Sequence, residues 1–104
     1  MTQSFNVAAE ECLRSLMSQI EEQTDAIDAD LLDGVLTLEL PDGNQIILNR
    51  QLATEQIWLA SSDGPARFDW RGGNWLDERS GKALGIYLAE ILSHRLGHPL
   101  LLQV

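Results

Sequence analysis

The sequence predicts an α+β fold, a two-layer α/β sandwich in which two helices cover one face of an antiparallel sheet. Apolar residues recur at helical spacing near both ends of the chain, and the segments between them alternate apolar and polar residues as β-strands do. Turn-forming residues separate these segments closely enough to form hairpins, which imply antiparallel pairing. The predicted element order is α-β-β-β-β-β-α, and two one-sided helices must share one face of the sheet.

The first helix is predicted over residues 4–24, with Ser4 as its N-cap. Its apolar side chains fall within an arc of about 140°, and its acidic residues lie on the opposite side. The apolar set is Phe5, Ala9, Cys12, Leu13, Leu16, Met17 and Ile20. Cys12 is therefore interpreted as a small core residue, and a single cysteine excludes an internal disulfide or a cysteine-based metal site.

The first strands of the sheet are expected after an acid-rich connection over residues 25–33. Residues 34–40 alternate as one strand, and residues 45–50 form the next. Between them, Pro41-Asp42-Gly43-Asn44 predicts a hairpin turn, with Asp-Gly favouring the type I′ geometry.

The central hairpin is predicted over residues 56–70, with Ser-Asp-Gly-Pro at its turn. Since side chains alternate between faces, an inward Ile57 directs Trp58 and Gln56 outward. On the returning strand, Phe68 points inward and Arg67 outward. An exposed tryptophan among polar groups has the composition of a protein-binding hot spot. The alternative is that neighbouring side chains cover this tryptophan.

A short strand over residues 74–76 precedes the second helix, for which Ser80 is the predicted N-cap. Gly97 and Pro99 are expected to end that helix. Its apolar stripe consists of Leu84, Tyr87, Leu88, Ile91, Leu92 and Leu96. Residues 100–104 are mostly apolar, so we expect them to lie over the core between the two helices.

Composition indicates one globular domain spanning residues 1–104, and no segment approaches the ~18 consecutive apolar residues of a membrane span. The net charge is −9. Residues 1–42 contain ten acids and one base, whereas residues 43–104 contain six of each. Nucleic acid is thus a poor candidate partner, because phosphate binding needs a basic surface. Cations and basic protein surfaces are better candidates.

The acidic helix face carries like charges at neighbouring positions, each pair costing a few tenths of a kcal/mol. A bound cation would relieve this repulsion, and carboxylates suit Ca²⁺, Mg²⁺, Mn²⁺ and Fe²⁺/Fe³⁺. Carboxylates spread over a helix face do not enclose an ion, so the predicted sites are open and weak. The alternative is an acidic face that serves only solubility.

No catalytic constellation is evident. His94 and His98 have i, i+4 spacing, but no third ligand lies near them in sequence. An EF-hand interpretation that begins at Asp28 fails because Asp33 occupies the position that requires glycine. The absence of a Glu-x-x-His motif argues against an iron-oxidising or iron-storing enzyme.

Along nearly its whole length, the chain resembles the frataxin family, which includes bacterial CyaY-like proteins and mitochondrial relatives. The resemblance is concentrated in GVLTL at 34–38, ILNRQ at 47–51, QIWLASS at 56–62, GPARFDW at 64–70 and NW at 74–75. It implies a non-enzymatic, iron-binding regulator of iron–sulfur cluster assembly. Such a protein binds iron weakly, with other divalent cations possible, and docks on the complex of cysteine desulfurase and scaffold protein. The resemblance also implies a monomer in the bacterial cytoplasm, or in the mitochondrial matrix for a trimmed eukaryotic form.

The resemblance also implies candidate site residues. The acids predicted to bind metal are Glu21, Glu22, Asp25, Asp28 and Asp30, which the resemblance implies, together with Asp33, which belongs to the same run of acids. The residues predicted to contact a partner are Asn49, Gln51, Gln56, Trp58 and Arg67. The first helix also aligns one turn earlier, with Leu16 in place of Ile20, which leaves the individual helix ligands open. The competing hypothesis is an acidic protein-interaction module that binds no physiological metal.

Overall fold

The computed structural model describes residues 4–104, which form two helices and six strands. The helices are α1 (Phe5–Gln23) and α2 (Leu84–Leu96). The strands are β1 (Asp28–Leu32), β2 (Val35–Glu39), β3 (Gln45–Gln51), β4 (Gln56–Ala60), β5 (Ala66–Arg71) and β6 (Asn74–Asp77). They form one antiparallel sheet in which each strand pairs with the next along the chain. Neither helix in this part of the chain is long and apolar enough to cross a membrane.

The two helices pack on the same face of the sheet, which confirms the predicted fold class. Phe5 of α1 meets Trp75 of β6 edge-on, with ring centroids 5.8 Å apart, and Tyr87 of α2 meets Phe68 of β5 at 5.3 Å. The inward strand side chains are buried. They include Leu36, Leu38, Ile46, Leu48, Ile57, Leu59, Phe68 and Trp75. Over the described residues, the opposite face of the sheet is covered by no helix.

The additional strand, β1, occupies most of the acid-rich segment for which the sequence pattern predicted a connection. Asp33 and Gly34 both have positive φ, 51° and 77°, as a two-residue type I′ turn requires. This turn places Leu32 opposite Val35 and begins a ladder of five residue pairs. The predicted connection was wrong at residues 28–32. Aspartates are depleted in strands, so the segment was not recognised as a strand although a hairpin turn follows it.

The next hairpin, between β2 and β3, has a different turn from the one predicted. Gly43 has a φ of 88° while Asp42 keeps a negative φ, and the Gly43 N–H donates to the Leu40 carbonyl at 3.0 Å. Pro41 therefore occupies the second position of a type I turn that ends in glycine. The type I′ prediction was wrong here. Pro41 has a fixed negative φ, whereas a type I′ turn requires a positive φ at both central residues.

Helix α1 begins at the predicted position. The Ser4 hydroxyl accepts the Val7 N–H at 3.3 Å, as an N-cap does. Cys12 is buried in the core, and desolvation raises the pKa of its thiol to about 12. The interpretation of Cys12 as a core residue is therefore confirmed.

Helix α2 begins at Leu84, later than predicted. The Ser80 hydroxyl instead donates to Asp77 Oδ2 at 2.6 Å and closes a turn directly after β6. Ala83 is still extended and forms a bridge with β6, so the helix starts only after it. The prediction of Ser80 as N-cap was therefore wrong. Gly97 ends the helix as predicted, with a left-handed φ of 76°.

The C-terminal residues lie between the two helices, as predicted. On the α1 side, the side-chain amides of Gln19 and Gln23 each donate to and accept from the tail backbone. These four hydrogen bonds join them to residues 103 and 101 over 2.7–2.9 Å. The glutamines thus hold the tail as a neighbouring strand would.

On the α2 side, the tail is fixed by one hydrogen bond and one close approach. The Leu100 N–H donates to Ser93 Oγ at 2.9 Å. Gly85 lies so close to the tail that a Cβ at this position would stand 2.6 Å from the Leu102 carbonyl oxygen. Leu100 and Leu102 are both buried, so the tail completes the core.

Candidate functional site

The helix-free face of the sheet presents the side chains that strand parity directs outward. The register places Asn49 of β3, Trp58 of β4 and Arg67 of β5 opposite one another in one row. Trp58 lies half-buried on this face, which confirms its predicted outward direction. We refer to Asn49, Trp58 and Arg67 as the indole row.

The indole of Trp58 is held at its N–H edge and on one ring face. Its Nε1–H donates to Gln56 Oε1 at 2.9 Å, and Arg67 Cζ lies 4.4 Å from the ring centroid. A cation–π contact of this kind contributes about 0.5–1 kcal/mol at an exposed site. The alternative of a covered tryptophan therefore holds only in part, because Arg67 shields one face of a ring that remains accessible.

A depression of about 250 Å³ lies beside the indole. Besides the indole row, its lining includes Ile47, Ala60 and Pro65. Ala60 has only a methyl group, so the space next to the indole stays open. The depression is large enough to admit one apolar side chain of a partner.

The two glutamines predicted to contact a partner occupy different environments. Gln51 is half-buried at the end of β3, opposite Gln56 in the register. Gln56 is only 8% exposed, and its Nε2 donates to Asp69 Oδ1 and to Glu78 Oε1, both at 2.9 Å. Because Gln56 Oε1 accepts from Trp58, both polar atoms of its side chain are already bonded. The structure places Gln56 as a support for the indole.

The six acids predicted to bind metal are all exposed, and together we call them the acidic edge. They are Glu21, Glu22, Asp25, Asp28, Asp30 and Asp33. The first two lie in the last turn of α1. Asp28 and Asp30 lie on β1, the edge strand of the sheet, against which α1 packs. Because α1 contacts β1, these carboxylates lie on two adjacent elements and on the segments that follow them.

The acidic edge carries uncompensated negative charge. None of its carboxylates forms an ion pair with another residue in the range 4–104, whereas Arg14 pairs with Glu10 at 2.7 Å. The last turn of α1 contains no basic residue. The negative end of the helix dipole therefore adds to the charge of Glu21 and Glu22.

A ready-made metal cage is absent from the described part of the chain. Among residues 4–104, no three histidine, cysteine, aspartate or glutamate side chains are grouped closely enough to hold an ion. His94 and His98 are exposed and belong to no such group. The acidic edge fits only open binding, in which one or two carboxylates and water surround a hard or borderline cation.

Sequence reasoning missed the hydrogen bonds that hold Gln56. Strand parity directs Asp69 outward and the β4–β5 register places it opposite Gln56, so one contact could have been found from the sequence. Glu78 follows β6 and approaches Gln56 only because β6 folds back along β5. No local pattern predicts that second contact.

The described residues form a small α/β sandwich protein without an enclosed cleft. Its two polar surfaces are the helix-free face of the sheet, with the indole row, and the acidic edge. A family model described as a frataxin-like domain matches residues 1–98, and the chain belongs to the frataxin family. The resemblance identified from the sequence is therefore confirmed.

Similar proteins come from bacteria and yeast. The iron–sulfur cluster assembly protein CyaY of Thioalkalivibrio sulfidiphilus is 45% identical over 102 residues, covering 93% of this chain and 94% of that protein. The corresponding protein of Ralstonia nicotianae is 35% identical over 95 residues, covering 88% and 84%. The solved frataxin of Psychromonas ingrahamii is 27% identical, with a TM-score of 0.90 and coverage of 96% and 95%. A trimeric yeast frataxin, complexed with ferrous iron, is 34% identical, with a TM-score of 0.78 and coverage of 93% and 89%.

Proposed function

We propose that this chain acts in iron–sulfur cluster assembly as an iron-binding regulator or adaptor without catalytic activity of its own. Its bacterial relatives carry the name iron–sulfur cluster assembly protein, and a similar yeast protein was solved with ferrous iron. The observation that carries the proposal is the indole row on the helix-free face of the sheet. The proposed partner is the complex of a cysteine desulfurase with its scaffold protein.

The indole row is the proposed docking face. Tryptophan and arginine are the residue types that most often dominate binding energy at protein interfaces. Trp58 is fixed by Gln56 and Arg67 before any partner arrives, so docking loses little side-chain entropy. Asn49 supplies a neighbouring amide for hydrogen bonding, and the adjacent depression accepts an apolar side chain.

The acidic edge is the proposed binding region for iron. Exposed carboxylates without ion-pair partners in residues 4–104 offer oxygen ligands that suit Fe²⁺ and Fe³⁺, and also other divalent cations. An ion held by so few ligands exchanges readily, so the proposed role of iron is that of a metal to be passed on, as opposed to a resident cofactor. The same negative surface would also guide this chain towards a basic surface of the desulfurase.

Docking is tested by titrating the chain into a purified desulfurase–scaffold complex. Trp58→Ala is expected to weaken the apparent Kd by at least about tenfold, the effect of losing roughly 1.4 kcal/mol or more at a hot spot. The matched control is Ile86→Ala on α2, which removes a side chain that is 54% exposed on the helical layer. Normal binding by Trp58→Ala would refute the docking face.

Iron binding is tested by anaerobic Fe²⁺ titration followed by NMR. We expect resonance changes confined to residues 21–33, and their loss in the variant Glu21→Gln/Glu22→Gln/Asp25→Asn. Glu55→Gln, which removes an exposed carboxylate outside the acidic edge, is the control. Changes that lie elsewhere, or that survive in the triple variant, contradict the assignment of the acidic edge.

The second candidate is an acidic interaction module that binds no physiological metal. The lack of a three-ligand group within residues 4–104 favours it. In this case Fe²⁺ leaves the resonances of residues 21–33 unchanged in the wild type, whereas the iron-binding proposal requires them to change. A loss of partner binding by the triple variant is expected from both candidates, because the acidic edge guides docking in both.

The proposal also includes a monomer in the bacterial cytoplasm. Carboxylates on an edge strand discourage pairing between copies of a sheet, and β1 carries Asp28 and Asp30 in this position. This supports the monomer, while the location stays a prediction.

A further inference from the structure

Two carboxylates meet at the buried amide of Gln56. Asp69 lies opposite Gln56 in the β4–β5 register, and Glu78 approaches from the turn after β6. Gln56 Nε2 donates one hydrogen bond to each, and both bonds are 2.9 Å long. One nitrogen with two protons is therefore fully used by two acceptors.

The chemistry of these carboxylates determines which way the amide points. An ionised carboxylate only accepts hydrogen bonds, so Asp69 and Glu78 require the NH₂ group of Gln56 on their side. The carbonyl oxygen must then face Trp58, where it accepts the indole N–H at 2.9 Å. In the reversed orientation, Gln56 would direct an oxygen at two carboxylates and its NH₂ at the indole donor.

From this geometry we infer that Asp69 and Glu78 are positioning residues, which fix the rotamer of Trp58 for docking by setting the orientation of the Gln56 amide. The inference rests on the proposed function, because it assigns a role to residues behind the docking face. Neither residue needs to touch the partner.

The surrounding contacts hold both carboxylates in place. Arg71 donates to the second oxygen of Asp69 at 3.1 Å, which leaves Oδ1 for Gln56. The Glu78 N–H donates to the Arg67 carbonyl at 2.9 Å. Glu78, which orients the Gln56 amide, is thereby tied to β5, the strand whose Arg67 covers the ring face of Trp58.

The test is the isosteric double variant Asp69→Asn/Glu78→Gln. Amides can donate as well as accept, so Gln56 can then adopt both orientations without a change of volume. If both are equally populated, the competent fraction falls by half and the apparent Kd for the desulfurase–scaffold complex rises about twofold. In the free protein, the Trp58 Nε1–H resonance is expected to shift and its hydrogen exchange to accelerate by about the same factor or more.

Matched variants make the outcome specific. Trp58→Phe assigns the indole resonance among the three tryptophans. Glu10→Gln/Glu90→Gln removes the same charge from the two helices, on the other side of the sheet from the indole row, and is expected to leave the resonance and the affinity unchanged. Gln56→Met, which lacks every hydrogen bond of the network, is expected to reproduce the spectral change and to weaken binding further.

Failure of this inference differs from failure of the docking proposal. If the double variant retains the wild-type Trp58 resonance or the wild-type affinity while Trp58→Ala loses binding, the positioning role is wrong and the docking face stands. If Trp58→Ala binds normally, the docking face is wrong, and with it the role of the two carboxylates in docking.

Discussion

At the scale of single residues, surroundings decide what a side chain can do. Cys12 and Gln56 are both buried, yet with opposite consequences. The thiol of Cys12 is desolvated in the hydrophobic core and is kept neutral, whereas the Gln56 amide is bonded to its partners and transmits their orientation to Trp58. Neither role can be read from the residue type alone.

The raised pKa of Cys12 predicts a loss of stability in alkali. Its pKa rises from 9.0 to about 12 on folding, so above pH 9 the unfolded thiol ionises while the folded one stays neutral. The unfolded state then binds fewer protons, and the free energy of unfolding falls by up to about 1.4 kcal/mol per pH unit until the pH reaches the folded pKa. Urea unfolding of wild type and Cys12→Ala at pH 8, 9 and 10 measures this slope. Equal slopes for the two proteins would contradict the prediction.

At the scale of elements, glycine is what allows the tail to approach α2. Gly85 is the second residue of α2, and helix propensity would favour alanine there by up to about 1 kcal/mol. Here a Cβ would meet the backbone of Leu102, which cannot rotate away as a side chain could. The packing of the tail and the propensity of the helix therefore make opposite demands on this position.

Gly85→Ala is predicted to destabilise the fold, because the cost of overpacking against the tail exceeds the gain in helix propensity. We expect the variant to lose about 1–3 kcal/mol of unfolding free energy, the usual cost of overpacking. Equilibrium urea unfolding checks the sign. A gain of about 1 kcal/mol, as helix propensity alone would give, would show that the tail is not held where the structure places it.

At the scale of the whole molecule, charge is separated into distinct regions. Four of the seven bases form ion pairs within residues 4–104, and Arg95 pairs with both Asp42 and Asp63, at 3.1 and 3.0 Å. The acidic edge takes no part in these pairs within residues 4–104. The fold thus tolerates repulsion at the acidic edge, while the ion pairs of the described residues all lie elsewhere.

Removing charge from the acidic edge is predicted to stabilise the chain. Glu21→Gln/Glu22→Gln should raise the free energy of unfolding by about 0.5 kcal/mol at low salt, since negative charge in the last turn of a helix is opposed by the helix dipole. The gain should shrink as ionic strength rises and screening shortens the range of repulsion. Thermal unfolding at several salt concentrations measures both effects. Glu10→Gln is the control and should bring no gain, because Glu10 pairs with Arg14.

How far the sequence predicts the structure depends on how local the signal is. Helical spacing predicted α1, and strand parity predicted the outward direction of Trp58, because both patterns repeat within one element. Strand β1 was missed since Asp28 and Asp30 are unusual strand residues, although Asp33-Gly34 carried the signal of its turn.

In the candidate site, too, only the features that repeat within one strand could be predicted from the sequence. The indole row follows from parity, whereas Gln56 is also hydrogen-bonded to Glu78, which no local pattern connects to it. The start of α2 was misjudged for a similar reason, because Ala83 continues to pair with β6. Long-range contacts of this kind follow from the register of the folded sheet.

The hydrogen bonds from Gln19 and Gln23 to the C-terminal segment have a consequence for its alignment. Leu100 and Leu102 face inward while Leu101 is 77% exposed, so this segment alternates as a strand does although its neighbour is a helix. Sliding it by one residue in either direction would bring Gln103 or Pro99 into a position now filled by leucine. The two glutamines therefore also fix the register of this segment, because they bond the backbone of residues 101 and 103 and of no others in it.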